Sequence, residues 1–167
     1  MATIGSAIGG DGAPNSDRNA GHGIYSKNGL TIEGNIGTAK GGDATASGKN
    51  GGDGIHTDGN YSGDNLREGN LTIGGKIGTA QGGEGKSGNG GHGIYSGGLS
   101  PIISGGEIQQ AVGGEGKSGN GGSGIYCSKT LNITSGKIVS AQGGKGTDTG
   151  GDGIYGGPHF SIDGGEI

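Results

Sequence analysis

The chain has 167 residues, of which 50 are glycine, and 11 basic and 15 acidic side chains give it a formal net charge of −4. Glycine at nearly every third position excludes a helical fold, because each interior glycine costs a helix roughly 1 kcal/mol relative to alanine. The single cysteine, Cys127, excludes an internal disulfide framework and a cysteine-based metal site.

Three further classes are disfavoured by the same composition. No apolar run approaches the ~20 residues needed to span a bilayer, so we expect no membrane insertion. The segment after Met1 lacks the basic start and apolar stretch of a signal peptide, and we expect none in this chain. The mild acidity, without a block of lysine or arginine, argues against a nucleic-acid partner.

The first predicted element is a short strand, IGSA at 4–7, which recurs as IGTA, IGTA, IQQA and IVSA before a truncated copy ending at Ile167. A glycine-rich connection follows, and then a second strand, GHGIY at 21–25, which recurs at 52–56, 91–95, 122–126 and 151–155. The third strand is LTI at 30–32, with counterparts at 71–73, 99–103, 131–133 and 160–162. Short apolar motifs bounded by glycine are typical of strands joined by tight turns.

Five phased copies of three strands predict an all-β fold, a parallel β-solenoid in which each coil buries its apolar residues only by stacking on the next. We expect one domain over residues 1–167, with coils at about 4–35, 36–76, 77–107, 108–137 and 138–167. The interior should consist of columns of equivalent residues: Ile4/Ile36/Ile77/Ile108/Ile138, Ala7/Ala39/Ala80/Ala111/Ala141, Ile24/Ile55/Ile94/Ile125/Ile154, Leu30/Leu71/Leu99/Leu131/Phe160 and Ile32/Ile73/Ile103/Ile133/Ile162.

The connections between the first and second strands have glycine at every third position in the third and fourth coils, for example at 82, 85, 88 and 91. That period is typical of polyproline-II segments packed against one another, and a flexible loop is the alternative. Residues 58–70 read as a polar insertion on the outside of the second coil. Pro101 removes a backbone donor, so we expect a bulge there.

Two stretches, GGHGIYSGGLSPIISGGEI (90–108) and GGSGIYCSKTLNITSGKIVSAQGG (121–144), resemble the glycine-rich GIY…LTI-x-GG-x-I repeats in secreted surface proteins of bacteria. Such regions are often labelled carbohydrate-binding or adhesin-like, and are expected to form right-handed parallel β-helices. The resemblance implies an extracellular or cell-surface location and a scaffold role, and it carries over no catalytic residue.

Two polar columns are candidates for ion binding or pairing. Asp11, Asp43, Glu84 and Glu115 follow equivalent Gly-Gly pairs, and stacked carboxylates are either screened by water or neutralised by a hard cation such as Ca²⁺. The fifth member of this column is Lys145, and we expect a solvated face more than a calcium site. The residue between the two glycines of Gly-x-Gly-Ile is expected to pair with its equivalents in neighbouring coils and not to form a catalytic triad. In the five successive coils it is His22, Asp53, His92, Ser123 and Asp152.

The tyrosines of the second strand form a predicted aromatic row, Tyr25, Tyr95, Tyr126 and Tyr155, interrupted by His56. Such a row either binds sugars or, as we favour, stacks ring on ring. The outward polar column that starts at Thr31 and Thr72 is single and irregular. Ice binding is therefore only a remote alternative. If a binding or active site exists, the insertion is the first place to look, at Asp58, Tyr61, Asp64, Arg67 and Glu68.

Neither end of the repeat has a polar cap, and the sequence begins and ends in the same phase. Open coil ends are templates for pairing with another chain. We therefore expect a non-enzymatic protein, without a required cofactor, that assembles head to tail into an extracellular fibre through Ile4, Ala7, Ile162 and Ile167. The alternative is a glycan- or partner-binding module of a longer surface protein.

Overall fold

The computed structural model describes residues 2–14, 17–59, 70–98 and 102–167. The predicted all-β fold is confirmed: parallel strands stack as a β-solenoid of about five coils. The described residues include no helix, and thus none long and apolar enough to cross a membrane. The strands are β1 (Thr3–Ile8), β2 (Ile24–Ser26), β3 (Leu30–Ile32), β4 (Asn35–Lys40), β5 (Ile55–Thr57), β6 (Leu71–Ile73), β7 (Lys76–Gln81), β8 (Ile94–Ser96), β9 (Ile102–Val112), β10 (Ile125–Cys127), β11 (Thr130–Ile138), β12 (Ala141–Gln142), β13 (Ile154–Tyr155), β14 (His159–Ile162) and β15 (Gly165–Glu166).

Two parallel sheets enclose the interior. The GIY strands form a five-stranded sheet in the order β13-β10-β8-β5-β2, and the other strands form a ten-stranded sheet. Pairing joins equivalent residues of successive coils, as predicted: Ile55 lies between Ile24 and Ile94 in one sheet, and Ile77 lies between Ile36 and Ile108 in the other.

The apolar core is continuous through the middle coils and opens at both ends. Ile77, Ile108 and Ala111 are fully buried, as is Ile133. A fully buried isoleucine or leucine contributes about 1.5–3 kcal/mol relative to an exposed one. Columns of such residues explain how a chain so poor in apolar side chains can fold. Leu99 lies outside the described residues.

The third and fourth coils differ from the predicted three separate strands. The third strand of each runs without a break into the first strand of the next coil, in β9 and β11, and the pairing between β9 and β11 shifts register between Ile133 and Gly136. Gly105 and Gly136 have φ of 77° and 122°, which only glycine adopts without strain, so the chain turns the corner while it stays paired. The bulge predicted at Pro101 lies outside the described residues.

The glycine connections are ordered by lateral hydrogen bonds. Within the second coil the Gly52 N–H donates to the Gly42 carbonyl at 2.9 Å, and the Gly83 N–H of the third coil donates to the Gly52 carbonyl at 2.8 Å. A β-carbon on Gly83 would overlap the Gly42 carbonyl. This packing of backbone on backbone explains the glycine period, as in other assemblies where only glycine fits the contact.

Candidate functional site

The residues inside Gly-x-Gly-Ile form one continuous column, here called the central column: His22, Asp53, His92, Ser123 and Asp152. Each side chain accepts a hydrogen bond from the main-chain N–H of the next member. The Asp53 N–H lies 3.0 Å from His22 Nδ1, the His92 N–H lies 2.5 Å from Asp53 Oδ1, and the Ser123 N–H lies 2.9 Å from His92 Nδ1. The position therefore requires an acceptor on a short side chain.

A second column has the same construction, and the sequence analysis did not identify it. The Asn column comprises Asn19, Asn50, Asn89 and Asn120. Each Oδ1 accepts the N–H of the next asparagine, at 3.1, 2.9 and 2.9 Å along the column. The signal was present: four of the five coils carry asparagine three residues before the central column. Because Oδ1 is engaged, the amide NH₂ is the donor that remains.

The aromatic column, Tyr25, His56, Tyr95, Tyr126 and Tyr155, stacks ring on ring. The centroids of Tyr95 and Tyr126 are 5.5 Å apart with the planes 2° from parallel, and those of Tyr126 and Tyr155 are 4.8 Å apart. His56 lies 4.4 Å from Tyr95 in the same stack. Ring faces are therefore covered by the next ring, and each pair contributes about 0.5–1.5 kcal/mol beyond its burial.

These three columns border a shallow groove that runs along the solenoid axis, here called the axial groove. Asparagines form one wall, the aromatic column forms the other, and glycines such as Gly90 and Gly121 lie between them. Since His92 Nδ1 accepts a main-chain N–H, the neutral ring carries its proton on Nε2. The groove thus presents polar side chains at every coil, and the first and third coils combine an amide, an imidazole and a phenol.

The second coil contains a more concentrated polar cluster. Asp53 Oδ2 lies 2.5 Å from His56 Nδ1 and 3.4 Å from His22 Nδ1. His56 Nε2 lies 2.9 Å from Asp58 Oδ1, and the Tyr25 hydroxyl donates to Asp58 Oδ2 at 2.5 Å. Carboxylate oxygens only accept, so both ring nitrogens of His56 hold a proton in this arrangement.

The pKa values of the cluster follow from these contacts. Burial alone would raise the pKa of Asp53, but the His22 and His56 rings hold it well below its usual range. Burial also opposes charge on His56, yet Asp53 and Asp58 outweigh it and raise the pKa of His56. Burial is the main cause that lowers the pKa of His92.

The column of calcium candidates shows partners of its own. The Asp43 N–H donates to Asp11 Oδ1 and the Glu84 N–H donates to Asp43 Oδ1, both at 2.8 Å. Lys117 Nζ lies 2.5 Å from Glu84 Oε2. Main-chain donors and a lysine thus reduce the repulsion among these carboxylates, and calcium binding there, Glu115 included, stays a prediction.

Of the remaining candidates, Asp58 belongs to the cluster above, whereas Tyr61, Asp64, Arg67 and Glu68 lie outside the described residues. The proposed assembly residues lie at the open ends. Ile4 is 47% exposed in the first coil, and Ile162 and Ile167 are exposed in and after the last coil. Ala7 is half-buried.

Cys127 is buried in the core, and this burial raises the pKa of its thiol to about 12. It therefore behaves as a small apolar side chain.

No protein family model, no curated protein and no solved structure matches the chain. The parallel β-solenoid is shown by the fold itself.

Proposed function

We propose that the protein is a non-enzymatic structural subunit whose coils stack end to end with those of further copies to form a filament. The observation that carries this proposal is the match between its two end coils. In a stack of two copies, the central and aromatic columns of the last coil would continue in phase with those of the first coil of the second copy.

Both end coils expose apolar side chains that stacking would bury. Phe160, the bulkiest member of its column, is 48% exposed in the last coil. The first coil presents an apolar recess bordered by Ile4, Ile24, Leu30 and Ile32. In a stack Phe160 would lie against Leu30 of the second copy, just as it lies beside Leu131 of the neighbouring coil in its own chain. Burial of such exposed apolar area is the main driving force for association.

The polar columns match as well. Lys145, the only basic member of the acidic column, would face Asp11 of the next copy. Asp152 would accept the His22 N–H, and Tyr155 would stack on Tyr25, as their equivalents do between neighbouring coils. Opposite charges in facing positions favour this register, by about 0.2–1 kcal/mol for each pair.

One short segment, either β15 with Ile167 or the start of β1, must move away from its present position in such a stack. β15 already begins a further row of the column that starts at Ile4, since Gly165 and Glu166 pair with Gly136 and Lys137. Ile167 and Ile4 are equivalent in the repeat. In a filament one of them occupies that row and the other is displaced.

Assembly is tested by sedimentation and electron microscopy of the purified chain over a range of concentrations. We expect thin filaments whose length grows with concentration. Phe160→Ser should abolish the filaments because it removes the bulky apolar side chain that would cover Leu30. Lys145→Glu should weaken assembly at low salt, and the double change Asp11→Lys with Lys145→Glu should restore it.

The matched control is Lys129→Glu, an exposed lysine in the fourth coil, outside the columns, with the same change of charge. A monodisperse monomer at all concentrations would overturn the proposal. So would filaments that are insensitive to Phe160→Ser and to the exchange of charges. An extracellular location is part of this proposal and is supported by the resemblance of the repeat to bacterial surface proteins.

A second candidate function is the binding of an extended neutral glycan in the axial groove. The supporting observation is a row of donors formed by the Asn column in four coils and by the Tyr95 and Tyr126 hydroxyls in the third and fourth coils. Stacking covers the ring faces, so a sugar would be held by hydrogen bonds and not by ring faces. The carboxylates of Asp53 and Asp152 disfavour an acidic polymer.

This function is tested with a glycan array and the double change Tyr95→Phe and Tyr126→Phe, which keeps the rings and removes the hydroxyls. We expect the affinity for any bound glycan to fall several-fold. Thr31→Val, on an exposed strand position away from the groove, is the control. Binding that survives the loss of both hydroxyls would contradict a site in the groove.

A further inference from the structure

Three side chains of the first two coils bring metal-ligating atoms together. His22, Asp53 and His56 each place one nitrogen or oxygen within 4.8 Å of the others. No second group of three has this geometry in the described part of the chain. The three residues come from two columns, because His22 and Asp53 belong to the central column and His56 belongs to the aromatic column.

The repeat departs from its pattern at this place. The other four coils carry tyrosine in the aromatic column, and only the second coil carries histidine. In the same coil the central column carries a carboxylate with histidine both before and after it. Three of the four histidines of the chain thus contact Asp53, two through ring nitrogens and His92 through its main-chain N–H.

We propose that His22, Asp53 and His56 bind a divalent transition-metal ion of the Zn²⁺ class. Two imidazole nitrogens and one carboxylate oxygen are a donor set that suits Zn²⁺, whereas Ca²⁺ and Mg²⁺ prefer oxygen ligands alone. Three protein ligands leave a fourth position for water. All three side chains border the axial groove, so that position is open to solvent.

The surroundings of His56 support its role as a ligand. Its Nε2 faces Asp58 Oδ1 at 2.9 Å, and Asp58 is held in turn by the Tyr25 hydroxyl. A metal-binding histidine almost always donates its second N–H to such an acceptor, which fixes the ring. The cation would replace the proton between His56 Nδ1 and Asp53 Oδ2, and that proton would leave to solvent.

Coordination by His22 requires one exchange. His22 Nδ1 accepts the Asp53 N–H at 3.0 Å, and this hydrogen bond would give way to the metal bond. The His22 and His56 rings already lie together, with centroids 4.1 Å apart and planes inclined by 35°. The two carboxylates, Asp53 and Asp58, make the surroundings favourable for a cation.

The site is tested by titration of Zn²⁺ into the full chain, followed by calorimetry, with Co²⁺ as a spectroscopic substitute. We expect saturation at one ion per chain, visible Co²⁺ absorption bands, and no saturable binding of Ca²⁺ or Mg²⁺. His56→Tyr and Asp53→Ser should each lower the Zn²⁺ affinity more than about tenfold, and Asp58→Asn should lower it by about tenfold.

The two ligand variants install residues that other coils carry at the same positions, Tyr95 and Ser123, so the fold should persist and circular dichroism checks it. His159→Ala, at an exposed position in the last coil, is the control for adventitious histidine binding and should leave the affinity unchanged. The proposal is overturned if Zn²⁺ does not saturate one site, or if His56→Tyr binds it as tightly as the parent chain.

Discussion

Each coil has two halves that are held together by different means. In the third coil, β7, β8 and the first part of β9 form the apolar half, whose strands bury isoleucine and alanine, and residues 82–93 form the glycine half. The apolar half depends on side chains that fill the space between the sheets. The glycine half depends on main chains that touch one another and bond laterally.

The difference shows that the two halves of one coil are sensitive to opposite kinds of substitution. The apolar half is sensitive to the removal of atoms, because a cavity remains. The glycine half is sensitive to the addition of a single carbon, because main-chain atoms already occupy the space. The ends of the solenoid provide controls, since the same columns continue there without a neighbouring coil on one side.

The largest effect is expected when a carbon is added to the glycine half. In Gly114→Ala the new β-carbon would overlap the Gly83 carbonyl, whereas in Gly10→Ala, at the same column position in the first coil, it meets nothing within 4 Å. We expect Gly114→Ala to lower the free energy of unfolding by more than about 4 kcal/mol. Gly10→Ala should be neutral or stabilising by up to about 1 kcal/mol. Urea unfolding of the monomer at low protein concentration measures both, and equal losses would refute the contact between backbones.

A smaller loss is expected when atoms are removed from the apolar half. Ile108→Ala removes a fully buried side chain from the middle of its column and should lower the free energy of unfolding by about 3–4 kcal/mol. Ile4→Ala, at the equivalent position in the first coil, should cost only about 1 kcal/mol, because the side chain is half exposed. The same urea titration measures the pair. Similar values would mean that the end coil is covered in solution, as it would be in a filament.

The smallest effect concerns the border between the halves, where the central column lies. The pKa of His92 is lowered, and burial is the largest cause. The nearby Asp53 opposes this shift, and His56 adds to it. The unfolded chain therefore binds a proton more readily, so the stability contributed by neutral His92 is present at neutral pH and is lost as pH falls below about 6.5.

His92→Ser, which installs the residue of the next coil, keeps an acceptor and removes this titration. We expect it to flatten the loss of stability on acidification to about pH 5, measured by thermal unfolding across that range. The raised pKa of His56 acts in the opposite direction, because its contribution is present at low pH and is lost as pH rises. A steeper acid loss in His92→Ser would contradict the assigned direction.

The repeat made the fold predictable, whereas the site depended on atoms that the repeat does not specify. Identical residues at equivalent positions, such as Ile55 and Ile94, predicted which strands pair and in what register. The hydrogen bonds from main chain to side chain in the central column could not be predicted, because they depend on the distance from one coil's side chain to the next coil's backbone. The sequence also predicted pairing between His22 and Asp53, but not the convergence of His56 on the same carboxylate, since that depends on how far the two columns lie apart.

Because the strands of the described residues pair only with strands of neighbouring coils, the fold requires no pairing between its first and last coils. A gene segment of one whole coil could be duplicated or lost in the middle of the chain, and each column would simply gain or lose one step. Length in such a protein is therefore free to vary in whole coils, while a deletion of two or three residues would shift every column beyond it out of register.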